Sequence, residues 1–491
     1  MPEKERKTCA LVKRFPFESV RKRMSSINQM EDGSMLALVK GAPREILDLS
    51  GRILLGQDIV DLTPAQRAEI LLRIDSFAAE GFRVLAIAYR SIAGAEVADS
   101  TSETVERDLT FIGLTAMHDP PRPEVEESIT LCRRAGIRVV MITGDYGITA
   151  LAIARQVGMV ENAEVITGPQ LSLMTDEELR EKIGHDVIFA RVNPEHKLRV
   201  VSAFKDLGNV VAVTGDGVND APALKRADIG IAMGIRGTDV AKEAAEMILT
   251  DDNFASIVAA IEEGRAVFDN AGKFITYIIA HLVPEAVPFI FYALMKIPVP
   301  ITVMQILAVD LGTETLPALA LGIEKPEPGI MDRAPRSQKK GIIDAMVIFR
   351  GYIFLGLLAA AAVLTAFFLV LRAGGWKLGM QLEPNDTTFV NPLHLKAITM
   401  VFAGIVVIQI ANVFACRSEK HSTFRIGLFT NKLILWGIFF EAIFLAALVY
   451  VPSFQRIFNT TGLGWKDWGL LTIFMVTIFG LEELRKKVTG R

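Results

Sequence analysis

The chain has 491 residues, of which 51% are hydrophobic, and a formal net charge of −3. This length exceeds one ordinary soluble domain, and a mean hydropathy of +0.35 predicts membrane-spanning segments. The small negative charge argues against a nucleic-acid partner. The three cysteines are odd in number and scattered, so they indicate neither a disulfide framework nor a zinc site.

Short apolar strands alternate with helical segments from about residue 106 onward. The predicted strands are residues 111–115, 137–142, 187–190, 210–213, 228–233 and 247–250. This alternation is typical of a doubly wound parallel sheet with helices on both faces. Polar residues that follow such strands then meet at one edge of the sheet.

Two of these polar clusters suit phosphate. The strand 137–142 ends in Thr143-Gly144-Asp145, whose hydroxyl and backbone N–H groups could hold phosphate oxygens. Lys197 lies on the helix after strand 187–190, where its charge would neutralise developing phosphoryl charge. Taken alone, a helix lysine of this kind is a solvated surface residue.

The third cluster is the segment T-G-D-G-V-N-D, which follows strand 210–213. It places Asp216, Asn219 and Asp220 on one turn, and its two glycines are expected to let the backbone bend. Carboxylate and amide oxygens suit Mg²⁺. A lone Gly-Asp-Gly would be an ordinary turn. The two companion clusters favour a magnesium and phosphoryl site instead.

Long apolar runs dominate from about Phe268, each near the roughly 20 residues that cross a bilayer. Six spans are predicted, at residues 273–294, 301–323, 345–371, 395–416, 433–451 and 468–484. Lysine and arginine, Arg417 among them, cluster in two of the loops and in the carboxyl-terminal tail, which the positive-inside rule assigns to the cytoplasm. Both ends of the chain are therefore expected on the cytoplasmic side.

Several ionisable or amide side chains interrupt these apolar runs. Glu285 follows Pro284 in the first span, and Asp310 and Glu314 are four residues apart in the second, on one face of a helix. The cost of burying charge in lipid favours cation ligation over structural pairing for these carboxylates. Three further candidates would serve equally well as bridges between helices. They are Gln409, Asn412 and Glu441.

The segment T-G-D-G-V-N-D-A-P-A-L resembles the signature of the P-type cation-transporting ATPases, whose catalytic domain has a haloacid dehalogenase-like fold. This resemblance implies ATP and Mg²⁺ as cofactors, with Asp216 as the magnesium ligand and Lys197 as the phosphate-contacting lysine. The segment at residues 118–123, H-D-P-P-R-P, is similar to the family's hinge-adjacent segment. The implied catalytic residues are Thr143, Gly144, Asp145, Lys197, Asp216, Asn219 and Asp220.

The amino-terminal residues resemble the end of the family's nucleotide-binding domain. By the resemblance of F-P-F-E-S-V-R-K-R-M-S and K-G-A-P-R-E, Phe17 would stack on adenine, and Lys22 and Lys40 would attract phosphates. Arg83, in G-F-R-V-L-A, matches another nucleotide-contacting arginine. A phenylalanine between apolar strands is otherwise commonly a core residue, but the K-G-A-P match favours ATP.

The resemblance leaves the transported cation open among Ca²⁺, Na⁺, K⁺ and H⁺. The segments P-E-A-V-P-F and V-D-L-G-T-E are similar to those of sodium/potassium and proton/potassium pumps. The segment L-P-A-L-A-L-G is similar to that of calcium pumps. Analogy at the level of the fold does not decide between them.

Two family segments do not occur in these residues: D-K-T-G-T, whose aspartate is the nucleophile, and the T-G-E loop of the actuator domain. The resemblance therefore covers only the carboxyl-terminal part of a pump, and this chain is not expected to complete the phosphorylation cycle alone. One alternative is a non-enzymatic membrane subunit that needs a separate amino-terminal half. Another is a soluble-type phosphatase domain fused to a channel-like bundle, which would need its own aspartate nucleophile.

The expected fold class is α/β plus membrane α-helical, in three parts. Residues 1–105 would be a partial nucleotide-binding α+β domain. Residues 106–267 would be a haloacid dehalogenase-like phosphorylation domain, with a doubly wound parallel sheet, that lacks its nucleophile segment. Residues 268–491 would be a bundle of six transmembrane helices with a cation site. The protein is expected to be an integral, multi-pass protein of the cell membrane.

Overall fold

A computed structural model describes residues 9–18, 20–117, 120–295, 297–380 and 391–489. The chain divides into two compact units, Met1–Val258 and Ala259–Arg491. The three-part division expected from the sequence stays a prediction. His118 and Asp119, the first two residues of the predicted hinge-adjacent segment, lie outside the described residues.

The amino-terminal part of the first unit is a seven-stranded mixed sheet in the spatial order β1-β2-β3-β6-β7-β4-β5. Neighbouring strands are antiparallel except β4 and β7, which are parallel. The strands are β1 (Cys9–Glu18), β2 (Arg23–Met30), β3 (Met35–Gly41), β4 (Ser50–Leu55), β5 (Asp58–Asp61), β6 (Arg83–Ile92) and β7 (Leu109–Met117).

Three helices accompany this sheet, α1 (Pro43–Asp48), α2 (Pro64–Ala79) and α3 (Ser102–Val105). A capping box between Thr63 and Gln66 starts α2 by satisfying free N–H groups at its first turn. The core between α1 and the sheet includes Val39, Ile46 and Phe111.

The predicted strand 111–115 lies within β7 and pairs antiparallel with β6. Its assignment to the parallel sheet of the T-G-D strand is therefore wrong. An apolar run identifies a strand, but the run carries no signal for which neighbour it will pair with.

Two three-stranded parallel sheets follow, in the orders β8-β10-β9 and β11-β12-β13. A single doubly wound sheet is therefore not confirmed. The strand 137–142 shortens to two residues, and the strand 210–213 moves two residues along the chain. The strands are β8 (Met141–Ile142), β9 (Glu164–Thr167), β10 (Val187–Ala190), β11 (Ala212–Gly215), β12 (Ile229–Met233) and β13 (Met247–Leu249).

Seven helices connect these strands and supply most of the apolar cover for them. Their buried residues, such as Ala150, Val200 and Leu224, complete small cores on the sheets. The helices are α4 (Glu124–Arg134), α5 (Gly147–Gln156), α6 (Gly168–Leu173), α7 (Asp176–Lys182), α8 (Pro194–Asp206), α9 (Ala221–Arg226) and α10 (Asp239–Ala244).

The second unit is helical. Its helices are α11 (Phe254–Met295, which begins before the unit boundary), α12 (Val303–Leu307), α13 (Thr315–Gly322), α14 (Ala345–Ile348), α15 (Leu357–Ala373), α16 (Pro392–Cys416), α17 (Thr423–Ile426), α18 (Lys432–Tyr450), α19 (Pro452–Phe458) and α20 (Trp465–Thr489). Two π-helical segments, Ala308–Glu314 and Phe349–Gly356, join α12 to α13 and α14 to α15.

Four helices of the described residues are long and apolar enough to cross a membrane: Phe254–Met295, Ala345–Ala373, Pro392–Cys416 and Lys432–Tyr450. They correspond to four of the six predicted spans. The other two predicted spans are not among these four: the span 301–323 comprises α12, the π-helical segment Ala308–Glu314 and α13, and the span 468–484 lies in α20, which carries charge at both ends. The six-span bundle therefore stays a prediction.

Helix α16 lies at the centre of the bundle. It is apolar on all sides and buried along most of its length, as expected for a helix surrounded by others. It packs against α15 and α20, and its Phe402 and Val406 belong to the main core. Any polar group on this helix is thereby held away from solvent.

Buried ion pairs connect the helices at one end of the helical unit. Arg417, which the sequence suggests only as a cytoplasmic loop charge, is fully buried and donates to both carboxylate oxygens of Glu324, at 2.8 and 2.9 Å. Arg350 pairs with Glu482 at 2.7 Å, and neither side chain is more than 3% exposed. One pair joins the end of α16 to the loop after α13, and the other joins the π-helical segment before α15 to α20.

Candidate functional site

The turn after β11 holds the three predicted magnesium-site residues in different environments. Asp216 and Asn219 are exposed, and within the described part of the chain the Asp216 carboxylate forms no ion pair or hydrogen bond. Asp220 is only 7% exposed. Asp216 and Asn219 are therefore accessible to a ligand, whereas Asp220 is buried within the turn.

Asp220 holds the turn together. One carboxylate oxygen accepts from the backbone N–H groups of Asp216 and Gly217, at 3.2 and 3.3 Å. The other accepts from Lys197 Nζ at 2.5 Å. Lys197 is thereby bound to the turn, and the Asp220 carboxylate is occupied by bonds within the protein.

The glycines of this turn are needed for space rather than for unusual backbone angles. Gly217 has φ −109° and ψ 164°, an extended conformation open to other residues. A Cβ on Gly215 would lie 2.5 Å from Asp220 Cβ, which is too close for any side chain. The predicted need for backbone flexibility is wrong here, because the constraint is the close approach of Asp220.

Thr143, Gly144 and Asp145 follow β8 as predicted. The Asp145 backbone N–H donates to Thr143 Oγ1 at 3.1 Å, which folds the segment on itself. The backbone of this segment also pairs with the chain after β10, through the Arg191 N–H and the Asp145 carbonyl. The structure therefore connects the T-G-D segment to the strand that leads into α8, the helix of Lys197.

The predicted nucleotide-binding residues lie on one sheet. Phe17, at the end of β1, is 62% exposed, so it is not the core residue that its apolar neighbours would suggest. Lys40 and Arg83 are exposed on β3 and β6. Lys22 pairs with Glu45 at 2.8 Å, and this hydrogen bond holds the pKa of Glu45 below its ordinary value.

A buried carboxylate that the sequence did not identify, Glu106, anchors Arg21 and the start of β2. Glu106 accepts from Arg21, from Arg23 at 2.7 Å and from Ser25 at 2.8 Å. Burial alone would raise the pKa of Glu106, but these hydrogen bonds and the charge of Arg21 outweigh it and hold the pKa below its ordinary value.

The three membrane carboxylates lie near one another. Glu285 and Glu314 are each 7% exposed, and Asp310 is half-buried. Their carboxyl groups are close enough to influence one another electrostatically. One oxygen of Glu285 has no hydrogen-bond partner within the described residues. Such an arrangement of buried charge is unfavourable unless protons or a cation balance it.

Asp310 and Glu314 lie in a π-helical segment, where the sequence predicts an α-helix. Hydrogen bonds from i to i+5 put more residues in each turn, so a spacing of four falls short of one turn. Gly312 makes the segment fit, because a Cβ there would lie 2.3 Å from the ring of Phe444 on α18. Segments of this kind occur frequently at functional sites.

The other membrane candidates are fully buried, and each has at least one unpaired polar atom. Gln409 Oε1 lies 2.9 Å from Thr313 Oγ1, while its amide nitrogen has no partner among the described residues. Both carboxylate oxygens of Glu441 and the Asn412 carbonyl oxygen are likewise unpaired there. Buried polar atoms of this kind are satisfied in proteins by ordered water, protons or a bound ligand.

His281 is a member of this cluster that sequence reasoning missed. It is 1% exposed, and its two ring nitrogens lie 3.4 Å from Glu314 Oε1 and 3.4 Å from Asn412 Nδ2. Tyr277, His281 and Glu285 are spaced by four residues and so share one face of α11. This four-residue spacing is the sequence feature from which His281 could have been predicted as part of the cluster.

The residues present fit Mg²⁺ at the turn after β11. Magnesium is usually bound by one or two carboxylates, with water and substrate phosphates completing its shell. The exposed Asp216 carboxylate and the Asn219 amide meet that need. No group of three or more His, Cys, Asp or Glu side chains is placed to hold a metal ion within the described ranges, at this turn or among the membrane carboxylates.

The fold and these residues define an α/β unit suited to phosphoryl chemistry, followed by a helical unit with buried carboxylates. Comparison with known families agrees. Residues 2–124 match the P-type ATPase cytoplasmic domain N, residues 200–261 match the haloacid dehalogenase-like hydrolases, and residues 298–488 match the carboxyl terminus of cation-transporting ATPases. The chain therefore belongs to the P-type cation-transporting ATPases and corresponds to their carboxyl-terminal part.

Individual relatives agree with this assignment. The chain is 39% identical to a calcium-transporting ATPase of Bacillus subtilis over 94% of its own length and 50% of that protein. It is 35% identical to the sodium/potassium-transporting ATPase subunit alpha-4 of Rattus norvegicus, over 98% and 52%. It is 37% identical to calcium-transporting ATPase 1 of Saccharomyces cerevisiae, over 99% and 50%. The chain thus spans about half the length of these relatives.

Proposed function

We propose that the chain is the carboxyl-terminal part of a pump that couples ATP hydrolysis, through a phosphorylated aspartate, to cation transport. The observation that carries this proposal is the turn after β11. There Asp220 is bound by internal hydrogen bonds and by Lys197, whereas the exposed Asp216 carboxylate has no partner among the described residues. The matches to P-type ATPase sequences in both units support the same reading.

In this proposal Asp216 and Asn219 hold Mg²⁺, and when bound it neutralises phosphate charge. Lys197 adds positive charge next to the turn, and the Thr143 hydroxyl with the backbone of Gly144 and Asp145 holds phosphate oxygens. The nucleophilic aspartate would come from outside these 491 residues. It would belong to the same polypeptide or to a separately encoded amino-terminal half.

The source of the nucleophile is tested by the genomic sequence upstream of this chain. An in-frame D-K-T-G-T segment identifies a single pump polypeptide. A neighbouring gene with that segment identifies a split pump. If neither is present, the chain is a relic of a pump and the proposed activity fails.

The amino-terminal sheet is proposed to bind ATP, with adenine on the exposed ring of Phe17 and phosphates near Lys22, Lys40 and Arg83. Calorimetry on the full chain tests this. Phe17→Ala and Lys40→Ala should each weaken ATP binding about tenfold, the equivalent of one lost favourable contact. Arg52→Ala, at an exposed position on β4 of the same sheet, should change nothing. Equal effects of all three variants would remove the assignment.

The helical unit is proposed to cross the membrane six times, with both ends of the chain in the cytoplasm. The site of transport would be Glu285, Asp310 and Glu314, supported by Gln409, Asn412 and Glu441. The transported ion would be Ca²⁺, Na⁺, K⁺ or H⁺. Phosphorylation would shift the population between states that open this site to opposite sides of the membrane.

The cation site is tested in a complex of this chain with an amino-terminal half that carries the nucleophile. Glu285→Gln and Asp310→Asn should raise the half-saturating concentration of one cation in an ATPase titration with Na⁺, K⁺ and Ca²⁺. Glu419→Gln, an exposed loop position, is the control. Unchanged half-saturation for every ion would show that these carboxylates are structural.

A further inference from the structure

His281 lies between two of the proposed ligand groups. Its Nδ1 is 3.4 Å from Glu314 Oε1, its Nε2 is 3.4 Å from Asn412 Nδ2, and its ring meets Tyr277 edge to face with centroids 4.1 Å apart. It therefore connects α11 with both the π-helical segment and α16, and it is 1% exposed.

The hydrogen-bond partners determine the tautomer. The Asn412 amide nitrogen only donates hydrogen bonds, so Nε2 of His281 accepts from it and the ring hydrogen lies on Nδ1, toward Glu314. This arrangement uses one oxygen of Glu314 and leaves the Asn412 carbonyl oxygen unpaired. An imidazole ring therefore takes the space between two side chains that carry oxygen ligands.

The ring reduces the number of oxygen atoms available to a cation. Ca²⁺ takes six to eight oxygen ligands, whereas imidazole nitrogen suits Zn²⁺, Cu²⁺ or Ni²⁺ rather than hard cations. A divalent ion also gains more from each additional oxygen than a monovalent ion does, because the interaction scales with its charge.

We propose that His281 is a specificity-determining residue of the cation site, which disfavours Ca²⁺ relative to Na⁺ by withholding an oxygen ligand between Glu314 and Asn412. This inference rests on the proposed cation site. In this inference the imidazole affects which ion the site prefers, while the site itself is formed by the other residues.

The test uses the purified full chain in detergent and needs no ATPase activity. A hydrophobic carbodiimide labels Glu285 and Glu314, and mass spectrometry measures how Ca²⁺ and Na⁺ protect them. His281→Asn puts a carboxamide oxygen where the ring stood. It should lower the half-protecting Ca²⁺ concentration relative to that of Na⁺ about tenfold, the effect of about 1.4 kcal/mol. His281→Ser, a smaller oxygen-bearing replacement, should shift the ratio in the same direction.

Two controls separate ligand chemistry from packing. His281→Leu removes the ring nitrogens without adding oxygen and should leave the ratio within about twofold of that of the unaltered chain. His394→Asn alters a histidine whose Nε2 lies 2.7 Å from the Val299 carbonyl oxygen, and should change nothing. An unchanged ratio in both oxygen-bearing variants, or an equal shift in His281→Leu, would overturn the inference. If neither cation protects the unaltered chain, the proposed cation site fails and the inference fails with it.

Discussion

Individual carboxylates in this protein differ sharply in whether they are accessible to a ligand or bound within the protein. Asp216 and Asp220 are four residues apart in one turn, yet Asp216 is exposed with no side-chain partner in the described ranges, while Asp220 is buried with three donors. The resemblance of the motif implies that Asp216 is the magnesium ligand, but it does not show that Asp220 is bound within the turn. The structure separates a residue available to a ligand from a residue that holds the turn.

This difference gives a matched pair of variants. Asp220→Ala leaves the partly buried Lys197 without its partner and should lower the free energy of unfolding by about 3 kcal/mol. Asp216→Ala should change it by less than about 0.5 kcal/mol, because the side chain is exposed and unpaired. Thermal unfolding of the full chain distinguishes the two. Equal destabilisation by both substitutions would contradict the assigned roles.

Glu106 gives a prediction for pH dependence. Its pKa is held below the ordinary 4.5, so its ion pairs should contribute full stability above that pH and lose it as the pH falls through the lowered pKa. Glu106→Gln should therefore cost about 3 kcal/mol at pH 7 and much less at pH 3. Unfolding measurements at both pH values test this.

The control for Glu106 is Glu103→Gln, at an exposed position on α3. It should have little effect at either pH. A penalty for Glu106→Gln that stays constant from pH 7 to pH 3 would show that packing, rather than charge, accounts for its contribution.

At the scale of the element, apolar runs predicted where helices and strands lie, but they did not predict helix type or strand pairing. The strand 187–190 and four helices long and apolar enough to cross a membrane lie where hydrophobicity predicts them. The π-helical segment around Asp310 was not predictable, because one additional residue in a turn leaves the apolar pattern nearly unchanged. The partner of strand 111–115 was equally hidden, since pairing depends on contacts distant in the sequence.

The same limit applies to side-chain contacts in the candidate sites. The motif identified Asp216 and Lys197, but not the bond between Lys197 and Asp220. The apolar spans identified Glu285 and Glu314, but His281 was overlooked because its partners are on other helices. Arg417 was interpreted as a loop charge, although the structure buries it against Glu324. Sequence patterns report residue types, while these roles depend on three-dimensional neighbours.

The close contact between Gly312 and Phe444 yields a prediction about the π-helical segment. Gly312→Ala should lower the free energy of unfolding by about 1–3 kcal/mol, because its Cβ would overlap the ring. Thermal unfolding in detergent measures it. Gly322→Ala, where nothing lies within 4 Å of the added Cβ, should have little effect. Combining Gly312→Ala with Phe444→Leu should restore part of the lost free energy of unfolding. If it restores none, overlap with the Phe444 ring is not the cause of the destabilisation.

For the molecule as a whole, catalysis is predicted to need residues outside this chain. Incubated alone with γ-labelled ATP, it should form negligible acid-stable phosphoenzyme, since the D-K-T-G-T nucleophile is absent from its 491 residues. An amino-terminal half that carries this segment should restore hydroxylamine-sensitive labelling. In that complex Asp216→Asn should reduce labelling strongly. Hydroxylamine-sensitive label on the chain alone would contradict the prediction.

The π-helical segment Ala308–Glu314 has a geometric consequence for the residues around it. Each residue of an α-helix advances the chain by about 100° around its axis, given 3.6 residues per turn. If the segment gave up its additional residue and became α-helical, α13 would rotate by about that angle relative to α12. Asp310 and Glu314 would then face different neighbours without any helix being broken. A single shift of hydrogen-bond register would thus turn Asp310 and Glu314, the proposed ligand groups, toward or away from a cation.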